Sequence, residues 1–167
     1  MGIQFRQLIP MVSYPEQHTI SSLKSFPNNG SSSLNDYLHF IAETELTDLQ
    51  EKFTQTFDMS PTTCLDLGWH LYGEAYERGA FMVKIRELLR MQEIPESSEL
   101  PDHLTHVLAA LDGLNDADCA EFVKKYVQPA LTKIMDGFKD SDNRFQFVIR
   151  YIDELFKENF GDNEGGV

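Results

Sequence analysis

Apolar side chains recur at intervals of three and four residues along nearly the whole chain, as in Leu104, Val107, Leu108 and Leu111, or in Phe145, Val148, Ile149, Ile152, Leu155 and Phe156. That is the period of a helix with one face in a core. Runs of strict alternation rich in Val, Ile and Thr, which would mark strands, are hard to find. The chain therefore reads as all-α. Its 167 residues suit one domain, large enough to bury about 70% of the surface that the unfolded chain exposes. The expectation is a compact bundle of about eight helices over residues 1–160. Gly161 to Val167 has too little apolar surface to offset its ordering entropy and reads as a disordered C-terminal tail.

Prolines and glycines punctuate the pattern. Ser13-Tyr14-Pro15 ends a first amphipathic stretch from about Ile3 to Val12, and Pro27-Asn28-Asn29-Gly30-Ser31-Ser32-Ser33 ends a second. One helix, or two separated by a break between Thr44 and Thr47, is expected from Leu34 to Phe57. Ser60-Pro61 reads as an N-cap and first helical residue, opening a helix with Leu65, Gly68, Trp69 and Tyr72 on one face. Gly73 interrupts it, Pro95 to Pro101 forms a second loop, and Asp118 with Glu121 has capping-box spacing. Pro129 should kink or split the helix that follows, and Ser141 or Asp142 should open the last one.

Charge narrows the partners. Twenty-seven acidic against 14 basic side chains give a net charge of -13, which repels nucleic-acid backbones and anionic membranes but attracts basic peptides. No window approaches the ~20 apolar residues of a membrane span, and the first 12 residues lack the apolar run of an export signal. A cytoplasmic protein without direct membrane insertion is the expectation. Cys64 and Cys119 fit neither a disulfide framework nor a zinc motif and read as reduced thiols.

Asp66, His70 and Glu74 stand four residues apart and would share one helical face, and Asp102 and His106 repeat that spacing. No histidine has a glutamate three residues before it, as a di-metal bundle requires. No cysteine has a histidine close in sequence and no Gly-x-Ser-x-Gly elbow occurs, so nothing points to a nucleophile. No cofactor or metal is expected. The densest local feature is a mixture of aromatics, histidines, acids and glycines between Phe53 and Leu111, the composition of a peptide groove with apolar walls and a few polar groups for register.

Phe53-x-x-Thr56-Phe57-Asp58, His70-x-Tyr72-Gly73-Glu74, Arg78-Gly79 and Glu99-Leu100-Pro101-Asp102-His103-Leu104 resemble, in order and at compatible spacing, the redox-enzyme maturation chaperones. That family includes the NarJ-like nitrate reductase delta subunits and the related TorD and DmsD chaperones. The early Leu8…Ser13-Tyr14-Pro15 step is similar too. The resemblance implies a non-enzymatic, all-helical chaperone. It would bind the N-terminal or leader segment of a molybdenum-containing reductase subunit, and keep that subunit competent for cofactor insertion before membrane attachment or twin-arginine export. In the TorD-like branch the acidic-Pro-Asp-His loop is implicated in leader binding, and it maps to Glu99, Pro101, Asp102 and His103. The NarJ-like branch more usually has tyrosine after the Asp, and the segment after Leu104 departs from the nitrate reductase pattern, which points to a related respiratory molybdoenzyme as client.

The expected peptide-binding residues are Asp58, Leu65, Trp69, His70, Tyr72, Glu74, Arg78, Glu99, Pro101, Asp102 and His103. Asp58, Glu74, Glu99 and Asp102 would form an acidic rim, and Leu65, Trp69 and Tyr72 an apolar wall. Asp102→Ala and His103→Ala should weaken client binding and leave the fold intact. The rival reading is a helical metal protein or enzyme using His70, Glu74, His103 and His106.

Overall fold

The computed structural model describes residues 4–28 and 30–161. It is all-helical, as the periodicity requires, with nine α-helices among the described residues. The chain opens with a 3-10 segment, Phe5–Val12, whose Phe5, Leu8, Met11 and Val12 are buried. Its free N–H groups need acceptors. The Asp112 carboxylate supplies them, accepting from Phe5 N and Arg6 N at 2.8 Å each.

Then follow α1 (Gln17–Lys24), α2 (Ser32–Glu43), α3 (Leu46–Phe53), α4 (Leu67–Tyr72) and α5 (Tyr76–Met91). After the second loop come α6 (Leu104–Leu111), α7 (Asp116–Phe122), α8 (Gln128–Gly137) and α9 (Gln146–Phe160). α6 lies against the 3-10 segment, α9 packs on α2 and α8, and α4 packs on α5 and α8. Phe40, Phe53, Phe57, Phe138 and Phe145 meet edge to face at one end of the core, the arrangement that ring quadrupoles favour.

Several boundaries differ from the sequence reading. The expected Leu34–Phe57 stretch is broken at Thr44 and Glu45, within the span where a break was expected, but its end is a π turn, Thr54–Asp58. Ser60-Pro61 opens no helix. The Ser60 carbonyl accepts from Thr63 N and Cys64 N to make a single turn, because the next residues leave for a pairing described below. The N-cap of α7 is Asn115, whose side chain accepts from Asp118 N at 2.8 Å, so Asp118 lies inside the helix. Asn143 closes the turn before α9 by accepting from Phe145 N, and it in turn donates to Ser141 Oγ. Pro129 behaves as expected: a π turn at Val123–Val127 ends one helix and the proline sits in the first turn of α8, where its missing N–H costs nothing. The tail expected beyond Gly161 lies outside the described residues.

Candidate functional site

Two stretches far apart in sequence meet at the N-terminus of α4. Leu67 N donates to Asp102 O at 2.9 Å and Leu104 N donates to Leu65 O at 2.8 Å, forming a short antiparallel bridge between Asp66 and His103. This pairing draws the chain after Ser60 into extended backbone and joins the Pro95–Pro101 loop to α4. The loop is clamped from inside by His106. Its Nε2 accepts from Ser97 N at 3.0 Å, so Nδ1 carries the proton and donates to Leu100 O at 2.8 Å. Arg86 holds Glu96 at 3.0 Å from outside.

Below the bridge lies a charged pair. Arg78, from α5, donates through Nε to Asp102 Oδ2 at 2.9 Å and reaches Asp66 Oδ2 through Nη2 at 3.6 Å. Asp102 is 0% exposed. The carboxylate can enter only because α4 carries glycine there: a Cβ on Gly68 would stand 2.5 Å from Asp102 Oδ2 and 3.0 Å from Arg78 Cγ. Gly73 ends α4 at φ 59°, a conformation that glycine adopts without strain.

Above the pair is a shallow groove of about 240 Å³ lined by Asp58, Met59, Ser60, Pro61, Cys64, Asp66, Trp69 and Arg78. Its shape comes from the π turn that carries Asp58 to the surface and from the turn at Ser60. That turn is fixed by a hydrogen bond from Thr63 Oγ1 to Thr56 O and by Trp69 Nε1, which donates to Pro61 O at 2.9 Å. Gly137 of α8 lies so close that a Cβ there would strike Thr62 O at 2.2 Å. Met59 is 72% exposed and Trp69 is half-buried beside it. At less than the ~300 Å³ of small-molecule pockets, the groove has room for a long side chain rather than a cofactor.

The electrostatics are those of acids crowded together. Burial, then the charge of Asp102, raises Asp66 to about 6, against the pull of Arg78, and Glu99 and Asp58 add to it. Burial raises Asp58 as well, and burial followed by the Asp58 charge raises Glu99. Burial, then neighbouring His106, lowers His103 to about 4, so its ring is neutral near pH 7. Its Nδ1 accepts from Thr105 N at 3.2 Å and caps α6.

The structure thus brings Asp58, Trp69 and Arg78 together and places Glu99 within electrostatic reach of them. It corrects four of the other expected residues, which lie inside the protein. Asp102 has no access to solvent, Pro101 and His103 are buried, and Leu65 belongs to the core. Tyr72 packs edge-on against Phe81. Glu74 is exposed but follows Gly73, beyond the end of α4, and so does not share a helical face with Asp66 and His70. Asp66, Met59 and Cys64 line the groove without having been expected there. Asp66 was legible only as a member of a metal-like spacing, and Met59 gave no signal.

His70 does lie beside Cys64, with Nε2 at 3.6 Å from Sγ. The same nitrogen is 2.7 Å from Cys64 O, so it carries the proton and has no lone pair for the thiol. Burial raises Cys64 and lowers His70, which keeps both groups neutral. The pair lacks the thiolate and the poised base of a nucleophilic site. Among the described residues no three His, Cys, Asp or Glu side chains are grouped to hold a metal ion, and no helix is long and apolar enough to cross a membrane.

Two curated relatives from Escherichia coli, strain K12 and O157:H7, are each named nitrate reductase molybdenum cofactor assembly chaperone NarJ. Both are 27% identical to this chain over 137 residues, 81% of this chain and 58% of theirs. The chain therefore spans less than two thirds of the length of the curated relatives it matches. The family model described as nitrate reductase delta subunit matches residues 25–150, a stretch containing every side chain of the groove and of the Arg78 network. The chain belongs to the nitrate reductase delta subunit family.

Proposed function

We propose that this chain is a cytoplasmic assembly chaperone, not a catalyst, for a molybdenum-containing respiratory reductase. It binds the N-terminal or leader segment of the apo catalytic subunit and keeps that subunit open to cofactor insertion until it is released for membrane attachment or export. The observation that carries this reading is the acidic rim of Asp58, Asp66 and Glu99 around the apolar surface of Met59 and Trp69. A basic side chain of the client meets the rim and an apolar neighbour lies on Met59 and Trp69, so charge sets register and area supplies affinity. Asp102 braces the two walls from beneath, out of the client's reach, while Arg78 both holds Asp102 and lines the groove. The similarity to chaperones named for molybdenum cofactor assembly of nitrate reductase supports the choice of client class.

The test is capture from the native cytoplasm. The tagged chain should retain a catalytic subunit of the molybdenum reductase class lacking its cofactor, and lose it once cofactor is supplied. Retention of the mature, cofactor-loaded enzyme would instead make the chain a permanent subunit.

A further inference from the structure

α5 faces two ways. Its inner side carries Phe81, Ile85 and Leu89 into the core, and Arg78 into the charged network. Its outer side carries three of the large apolar side chains left open among the described residues: Tyr76 at 88% exposure, Met91 at 80% and Val83 at 54%. Tyr76, Ala80, Val83 and Glu87 are spaced by four, three and four residues, the spacing of a two-helix coiled-coil seam, with Glu87 at its charged end. Arg78 lies about 200° around the helix from Tyr76, so this seam points away from the candidate groove.

We infer that the seam is where two copies of this chain associate, α5 packing antiparallel on α5 of the second copy about a two-fold axis between Ala80 and Val83. The charges choose this occupant and this direction. Glu77 and Lys84 lie seven residues apart on one flank of the seam, and antiparallel pairing about that axis sets each Glu77 against Lys84 of the second copy. The Lys84 ammonium rests over the Tyr126 ring at 5.2 Å and has only to swing outward. On the other flank Arg86 faces Gly79 of the second copy, and its guanidinium is already held by Glu96, so no like charges meet on that flank. Parallel pairing would put Glu87 against Glu87, whereas the antiparallel arrangement puts Glu87 against Tyr76 and Ala80 against Val83. The same patch serves both copies, as a closed two-fold contact requires.

The 16 residues of α5 make about 24 Å of helix, which is short of a standard interface and makes the dimer weak and reversible. Both candidate grooves remain open in it. The inference does not depend on the client proposed above.

Sedimentation equilibrium of the full chain over a concentration series tests it, in about 0.15 M salt so that repulsion between two copies of charge -13 is screened beyond ~8 Å. The expected result is a monomer–dimer equilibrium that Val83→Glu abolishes. Glu77→Lys and Lys84→Glu should each weaken it by about tenfold, and the double variant should restore it. All three side chains are exposed, and unchanged helical circular dichroism checks that the variants fold. A monomer at every concentration up to about 1 mM, a dimer indifferent to Val83→Glu, or a double variant no better than either single one overturns the inference.

Discussion

Arg78 Nε donates to Asp102 Oδ2 at 2.9 Å across 24 residues of sequence, and this bond joins the inner face of α5 to the bridge that holds the Pro95–Pro101 loop. Removing Asp102 leaves Arg78 with only its longer contact to Asp66 at 3.6 Å, and breaking a buried charge pair in this way costs about 3 kcal/mol. Asp102→Ala should therefore lower the stability of the whole domain by roughly that amount in urea denaturation, contrary to the expectation from sequence that it leaves the fold intact. Asp102→Asn, which keeps an acceptor for Arg78, should lose distinctly less.

Gly68 depends on the same pair. A methyl group there would meet Asp102 Oδ2 at 2.5 Å and Phe81 Cδ2 at 3.1 Å, an overpacking worth about 1–3 kcal/mol. Gly68→Ala should destabilise by that much alone. In the Asp102→Ala background, where the clashing oxygen is gone, it should cost less, and a double-mutant cycle by urea denaturation measures the difference. Additive losses would mean that the helix packing, not the carboxylate, requires glycine.

Asp66 and His103 work against each other with pH. Asp66 is raised from 3.8 to about 6, so between those values the folded chain holds a proton that the unfolded chain has lost. This contribution to stability is full below about pH 4 and is lost as pH rises through 6. His103 is lowered from 6.5 to about 4, so its contribution is full above about 6.5 and is lost as pH falls through 4. Asp66→Asn should leave the His103 effect uncovered and make stability rise more steeply with pH from 4 to 6.5. His103→Asn, which can still cap α6, should do the opposite. Stability curves of unchanged slope in both variants would contradict these environments.

Cys64 lies on the groove but should behave as an unactivated thiol. Burial raises its pKa, and His70 Nε2 is committed to the Cys64 carbonyl. Iodoacetamide labelling followed by mass spectrometry should show no reactive fraction near pH 7, and His70→Ala should not slow the reaction. A thiolate shoulder near neutral pH that disappears in His70→Ala would revive the enzyme reading.

The sequence carried the helical class and most breaks, since those rest on local chemistry: the period of apolar residues, Pro129, and Gly73 at positive φ. It misplaced Ser60-Pro61 because a bridge to residues 102–104 overrides the local preference for helix. For the site, the motif around Pro101-Asp102-His103 stood out, but its physical place did not. An acid in a loop reads as surface. Only the pairing with Arg78 and the missing side chain at Gly68 make a buried carboxylate tolerable, and neither follows from spacing. The rim residue Asp66 was visible without its neighbours, because Asp58 reaches it through a π turn that no periodicity announces.

The central claim is tested most directly by calorimetric titration of the full chain with a synthetic N-terminal segment of the captured reductase subunit, across a salt series. One peptide should bind per chain. Affinity should fall by about tenfold between 0.1 M and 1 M salt as the rim is screened. Trp69→Ala should lose ~2 kcal/mol or more as a buried anchor, and exposed Met59→Ala should weaken binding without disturbing the fold. An affinity indifferent to salt, to Trp69→Ala and to Met59→Ala, or no binding at all, would contradict the account.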